Sequence, residues 1–310
     1  MSLTEPFRNI LPAMQVPFNP DLSIDEQELR RFTSWLAGHK GIGGLVTNGH
    51  TGEVFALSPK ERAEVTRIVA DEAAGRLPVI SGINCESITE AVEHAQMAKE
   101  AGASGLLVMP PHIWLRFGMR PEHVLRYFSA IGEAVEINLV VHIYPAWTKA
   151  SYSSALLHEM AKIPWITTFK IGTREMSKYV RDIAAIRKGD PKATIVTCHD
   201  EYLLATMVQG VDGALVGFAS FIPDRICELW AAVQAGDLKK AMEIQAWINP
   251  LKEVVYSKGE PSSEAHARMK VAMNLSGRMN STTVRPPIDV PTGDTYLAIE
   301  AAVKNAGLMK

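Results

Sequence analysis

The chain is short of several features that would point directly to a class of function. Cysteine is scarce: Cys85, Cys198 and Cys227 are three among 310 residues. Their odd number and the lack of any Cys-x-x-Cys spacing argue against a disulfide framework. Charge of one sign is lacking too. The net charge is −2, and no Lys/Arg cluster is interleaved with aromatics, so neither nucleic acid nor an anionic membrane surface is the expected partner. No apolar run approaches the length that crosses a bilayer, so no membrane association is expected either. The first thirty residues carry acids and prolines in place of an apolar leader, and a cytoplasmic location is the expectation. Asn280-Ser281-Thr282 fits a glycosylation acceptor, which in that setting is a chance match. The chain also lacks a Gly-x-Gly-x-x-Gly turn after its first strand candidate, which counts against an open dinucleotide-binding sheet. The expected ligand is small.

What is present is an ordinary globular composition, 47% hydrophobic and 21% charged, arranged as a repeating pattern. Short apolar runs predict strands at 11–16, 43–47, 78–83, 105–109, 138–143, 166–171, 194–197 and 213–216. Helical stretches lie between them, among them 24–38, 59–74, 88–101, 121–134 and 153–163. Ser58 with Pro59 reads as a helix start, and Ser87-Ile88-Thr89-Glu90 as a capping box. About eight β-then-α units of roughly 25 residues each predict an α/β chain folded as a closed (β/α)8 TIM barrel. After Phe221 only helices follow, at 224–235, 238–256, 263–276 and 294–306. The expected division is a barrel carrying the site over 1–222, with the last barrel helix and a C-terminal helical bundle over 223–310.

In a barrel the chemistry belongs at the carboxyl ends of the strands. Reading those ends in order gives Asn48-Gly49-His50-Thr51-Gly52-Glu53, Asn84, Pro110-Pro111-His112, His142-Ile143-Tyr144-Pro145, Lys170, Cys198-His199-Asp200 and Gly217-Phe218. Lys170 stands out, because the run Ile166–Gly172 around it is otherwise uncharged and β-branched. A buried ammonium costs several kcal/mol unless it is paired or loses its proton. The neutral amine is the form that attacks a ketone to make a Schiff base. The competing reading is a lysine whose head reaches out of the strand end to a carboxylate.

The Gly49-His50-Thr51-Gly52-Glu53 turn, the Tyr144-Pro145 region and Lys170 in the sixth strand resemble the pyruvate-dependent Schiff-base aldolases and lyases. That superfamily includes dihydrodipicolinate synthase and N-acetylneuraminate lyase. The resemblance covers nearly the whole chain, and Pro12…Val16-Pro17-Phe18 is similar to the family's opening strand. It implies a lyase in which Lys170 forms a Schiff base with pyruvate or another 2-oxo acid, with a possible aldehyde as second partner. The turn would hold the carboxylate through N–H groups near His50 and Thr51, with Gly49 and Gly52 supplying backbone freedom. Glu53 would be structural. Leu215 and Gly217 would complete the substrate pocket. No cofactor is implied, since the lysine is its own electron sink, and a homotetramer is the usual assembly.

Several positions depart from the synthase pattern. A tyrosine three residues before the proline moves protons in the family; here that position is His142, with Tyr144 two residues later on the same side of the strand. Strict alignment to Pro145 favours His142. The synthase's Thr-Thr pair becomes His50-Thr51, and its tyrosine after the fourth strand becomes His112. The arginine that binds the second substrate's carboxylate becomes Trp147. Dihydrodipicolinate synthesis is therefore not expected. The segment His112–Arg120 reads as a lid over the mouth, with Arg116 or Arg120 facing a carboxylate. Its aromatics, with Trp147 and Phe218, suggest a bulkier and less polar acceptor than a sugar acid. Two alternatives stay open: a metal-dependent barrel enzyme using His50, His112 and His142, and a non-catalytic 2-oxo acid binder.

Overall fold

The computed structural model describes residues 5–256 and 262–310. Eight parallel strands run β1 (Asn9–Pro12), β2 (Leu45–Thr47), β3 (Val79–Ile83), β4 (Gly105–Val108), β5 (Asn138–Ile143), β6 (Ile166–Ile171), β7 (Thr194–Thr197) and β8 (Gly213–Val216). β2 to β8 pair in sequence order, and β1 pairs with β8. The last seam is closed by the parallel bridges Ile10 to Ile42 and Ala13 to Val46. The fold is the (β/α)8 barrel, and the strands read from apolar runs coincide with the observed ones to within a residue or two everywhere except β1.

At β1 the apolar run was placed over 11–16, while pairing covers only Asn9–Pro12. Beyond it Ala13 and Met14 still make single bonds to the neighbouring strands, to Val216 O at 3.1 Å and Val46 O at 2.9 Å, and Val16 is buried outside the regular ladder. Apolarity reports burial there, and it extends past the regular ladder. The helix starts behave more simply. Ser58 and Glu61 form a reciprocal capping box with Pro59 at the first helical position. At the next helix Ser87 accepts from Glu90 N–H, but the Glu90 carboxylate takes the Glu86 N–H instead of that of Ser87. Half of the box is therefore built.

Side chains alternate along each strand, so every second residue enters the barrel. One interior layer is Leu11, Val46, Ile80, Leu107, Val140, Val196 and Leu215, with Phe7 beneath. Moving two residues toward the carboxyl end on β5 and β6 reaches His142 and Lys170, which lie opposite one another in register. The same step from Val196 gives Cys198, and from Leu215 gives Gly217. This parity delivers the polar residues to one rim above a dry apolar plug. Outside the barrel, helices Pro223–Gln234, Leu238–Tyr256, Ala265–Leu275 and Gly293–Asn305 form the C-terminal region. Among the described residues no helix is long and apolar enough to cross a membrane.

Candidate active site

A cavity of about 600 Å³ opens at the carboxyl ends of the strands, and Lys170 lines it together with His50, Thr51, His142, Tyr144, Leu215 and Gly217. Burial lowers the pKa of the Lys170 ammonium; Cys198 and Asp200 oppose that shift, and Arg174 adds to it. The neutral amine is thus more accessible than on a surface lysine.

The turn after β2 is built differently from the expectation. Gly49 is extended, at φ −82° and ψ −179°, a conformation open to any residue. The left-handed residues are Asn48, at φ 54°, and Glu53, at φ 53°. Asn48 tolerates this because its side chain is anchored, its amide donating to the Arg62 carbonyl at 2.8 Å. Gly52 is required for space, since a Cβ there would lie 2.9 Å from the Met14 carbonyl oxygen. The bonds of the turn begin with Gly52 N–H to Gly49 O and Glu53 N–H to His50 O. The His50 and Thr51 N–H groups therefore stand outside its ladder, as at any helix start. Glu53 is buried and ion-paired with the equally buried Lys270 at 2.5 Å.

Three rings gather above the lysine. The Tyr144 hydroxyl and His50 Nε2 share a hydrogen bond of 3.0 Å. The His142 ring meets Tyr144 edge-on at 4.9 Å and lies 5.5 Å from the His50 ring. His142 is 7% exposed, and among the described residues nothing pairs with its Nδ1. His50 is exposed to the cavity; the surrounding protein and then the neighbouring Lys170 lower its pKa. Burial first, then Lys170, hold His142 well below the usual imidazole range. Both imidazoles are neutral near pH 7 and can accept protons. Burial raises the Tyr144 phenol, which keeps its proton.

Gly49, His112 and Trp147 do not line the cavity. Trp147 is 62% exposed. His112 begins a short helix, His112–Phe117, whose first N–H groups, those of His112 and Ile113, donate to the Glu86 carboxylate at 3.0 and 2.8 Å. The segment read as a lid is therefore pinned beside the mouth, and no residue from 112 to 120 reaches the cavity. Phe218 is buried behind the wall. Sequence reasoning did not find the roof, which comes from Tyr256, His266, Met269 and the strap Arg285–Ile288. No sequence signal announces which face of a C-terminal helix covers a barrel mouth. Arg174 could have been found by counting in twos from Lys170; it donates to Glu201 at 2.7 Å.

The three histidines of the metal reading do not assemble. Among the described residues, the one set of three His, Cys, Asp or Glu side chains with donor atoms within 4.8 Å of one another is Cys85, Glu90 and His94. There the Arg62 guanidinium lies 3.5 Å from His94 Nδ1, a fixed positive charge where a cation would sit.

The cavity at the carboxyl ends of the barrel strands thus holds a half-buried lysine from the sixth strand together with His50, His142 and Tyr144. The model of the dihydrodipicolinate synthetase family matches residues 6–306. A DapA-like lyase of uncharacterised function from Thermofilum pendens is 30% identical over 309 residues, covering 97% of this chain and 98% of its own. The 4-hydroxy-tetrahydrodipicolinate synthase of Acidiphilium cryptum is 31% identical over 305 residues, covering 98% and 99%. Among solved structures, the chloride-inhibited dihydrodipicolinate synthase of Acinetobacter baumannii, complexed with pyruvate, superposes with a TM-score of 0.86. It is 26% identical and covers 98% of this chain and 100% of its own. The chain belongs to the dihydrodipicolinate synthetase family and is a lyase.

Proposed function

We propose that the chain is a Schiff-base lyase acting on pyruvate or a related 2-oxo acid through Lys170. The carrying observation is the placement of that amine, which lines the cavity opposite His142 and has its pKa lowered by burial. The neutral amine attacks the ketone carbon and a C–N bond forms; the former carbonyl oxygen leaves as water with one amine proton and one proton taken up from solvent, and the nitrogen, keeping its other proton, becomes a protonated imine. The substrate carboxylate sits on the His50 and Thr51 N–H groups and neutralises part of that charge. Electrons from a broken C–C bond, or from loss of an α-proton, then flow into the imine. His142, opposite Lys170 in register and with a partnerless Nδ1, serves as proton carrier at the nitrogen. The Tyr144–His50 pair serves the substrate hydroxyl.

Dihydrodipicolinate synthesis is disfavoured, because Trp147 occupies the position of the acceptor-binding arginine and faces solvent. The cations at the roof are committed elsewhere, Arg285 to Glu61 and Lys270 to Glu53. The outer walls are apolar, from Phe55, Met269, Pro286, Pro287 and Ile288. An aldehyde or leaving fragment without a second carboxylate fits them best. Exposed Ile113, Phe117 and Trp147 beside the mouth are compatible with subunit packing in a tetramer.

Borohydride reduction in the presence of pyruvate, followed by intact mass and peptide mapping, tests the assignment. A reduced adduct on Lys170 is expected. Absence of an adduct with pyruvate and with longer 2-oxo acids defeats it. An adduct without turnover of any hydroxy-oxo acid would favour the non-catalytic binder.

A further inference from the structure

Asp200 is a buried carboxylate that the chemistry above does not use. It follows β7, is 7% exposed and lines the same cavity as Lys170. Its oxygens accept the Gly217 N–H at 3.0 Å and the Phe218 N–H at 3.1 Å. The Tyr256 hydroxyl, from the end of helix Leu238–Tyr256, donates to it at 3.0 Å. Gly217 is where three parts of the site cross. A Cβ there would lie 2.4 Å from the Tyr256 hydroxyl oxygen and 3.2 Å from Thr51 Oγ1. Asp200 thus joins the end of β8, the C-terminal roof and, through Gly217, the side of the carboxylate turn.

We infer that Asp200 is a positioning residue for the reaction at Lys170. It fixes the Gly217–Phe218 turn under the substrate carboxylate, and its carboxyl, in the same cavity as Lys170, is ionised when the imine cation forms and balances that charge. This rests on the Schiff-base reading. An iminium in an apolar barrel needs a fixed counter-charge that costs no reorganisation when it forms. The substrate carboxylate supplies one only while bound on the turn, whereas Asp200 is covalently in place. The groups acting on Asp200 are Glu201 on its own segment, Tyr256 from the roof and the two backbone N–H groups, and burial pushes its carboxyl up to about 7. The groups acting on Lys170 are Asp200 and Cys198, which hold its proton on, and Arg174, which opposes them.

The test separates this inference from the reading it rests on. Competitive acetylation of the full-length protein with acetic anhydride, quantified at Lys170 by peptide mass across pH, reads that amine without pyruvate. Borohydride trapping reads the adduct. In Asp200→Asn the Lys170 labelling midpoint should fall by about one pH unit or more, as for loss of a nearby opposite charge. The pyruvate concentration for half-maximal trapping should rise at least tenfold, while Asp200→Glu keeps the midpoint near that of the wild type. An unchanged midpoint in a folded D200N overturns the inference, whatever its melting temperature. A wild type that never traps a 2-oxo acid, with a midpoint that still falls in D200N, defeats the Schiff-base reading and leaves the charge coupling intact. If D200N does not fold, Tyr256→Phe carries the test. It removes one of the three donors, so wild-type trapping in folded Y256F overturns the inference.

Discussion

Substituting Lys270 by methionine tests how the carboxylate turn is held. Lys270 is fully buried; besides Glu53 it donates to the Thr283 carbonyl at 2.8 Å and lies 4.5 Å over the Phe18 ring. Methionine fills much of the same volume, so the loss is mainly electrostatic. It strands the Glu53 carboxylate, with His266 Nε2 at 3.7 Å as its nearest remaining cation candidate. Breaking a buried pair from one side costs roughly 3–5 kcal/mol. At about 2–4 °C per kcal/mol in a chain of this order of size, the melting temperature should drop by roughly 6–20 °C. Because Glu53 anchors the turn in its left-handed conformation, the pyruvate KM should rise more than kcat falls. Urea melts and steady-state kinetics of Lys270→Met, Glu53→Gln and the double variant give the answer. The double variant should recover most of the stability, since a neutral pair leaves no buried charge. A Lys270→Met loss below about 1 kcal/mol, or a double variant no more stable than the single one, refutes the reasoning.

Tyr144→Phe should lower kcat by roughly 10²–10⁴-fold while pyruvate can still be trapped, and His142→Asn should slow trapping itself; rapid-quench comparison separates the two. Gly217→Ala drives a methyl against the Tyr256 hydroxyl and should cost about 1–3 kcal/mol; Tyr256→Phe in the same chain should recover part of it in urea melts. His199 is fully buried, and burial, then Arg174, holds it down at about 3. Its folded pKa lies below its unfolded one, so the stability it carries is present above about pH 6.5 and is lost as pH falls toward 3. That loss is roughly 4–5 kcal/mol at most, and acid melts of His199→Phe should be correspondingly flatter over that window.

The barrel was legible because each strand is a short β-branched run bounded by helix starts, a pattern few other folds produce. Lys170, His142, Leu215 and Gly217 were legible for a related reason: period two along a strand fixes which residues share the interior. The misread positions lie where the strand has ended. Trp147 and His112 sit on segments whose direction is set by tertiary contacts, such as Glu86 on the His112 and Ile113 N–H groups. Gly49 was credited with a freedom that the fold uses one residue earlier, at Asn48. The roof was invisible because it depends on how a helical segment packs across a surface more than two hundred residues away in sequence. Glu53 meeting Lys270 is such a contact.

That roof has a consequence for the order in which the protein becomes competent. The lysine, the turn and the rings are all synthesised by residue 170, and the barrel closes once β8 pairs with β1. The wall from Arg285 to Ile288 leaves the ribosome only well after β8. Until then the cavity lacks that wall, and the burial that lowers the Lys170 ammonium pKa is incomplete. A nascent chain can thus hold a complete barrel while the cavity at its mouth is still missing a wall.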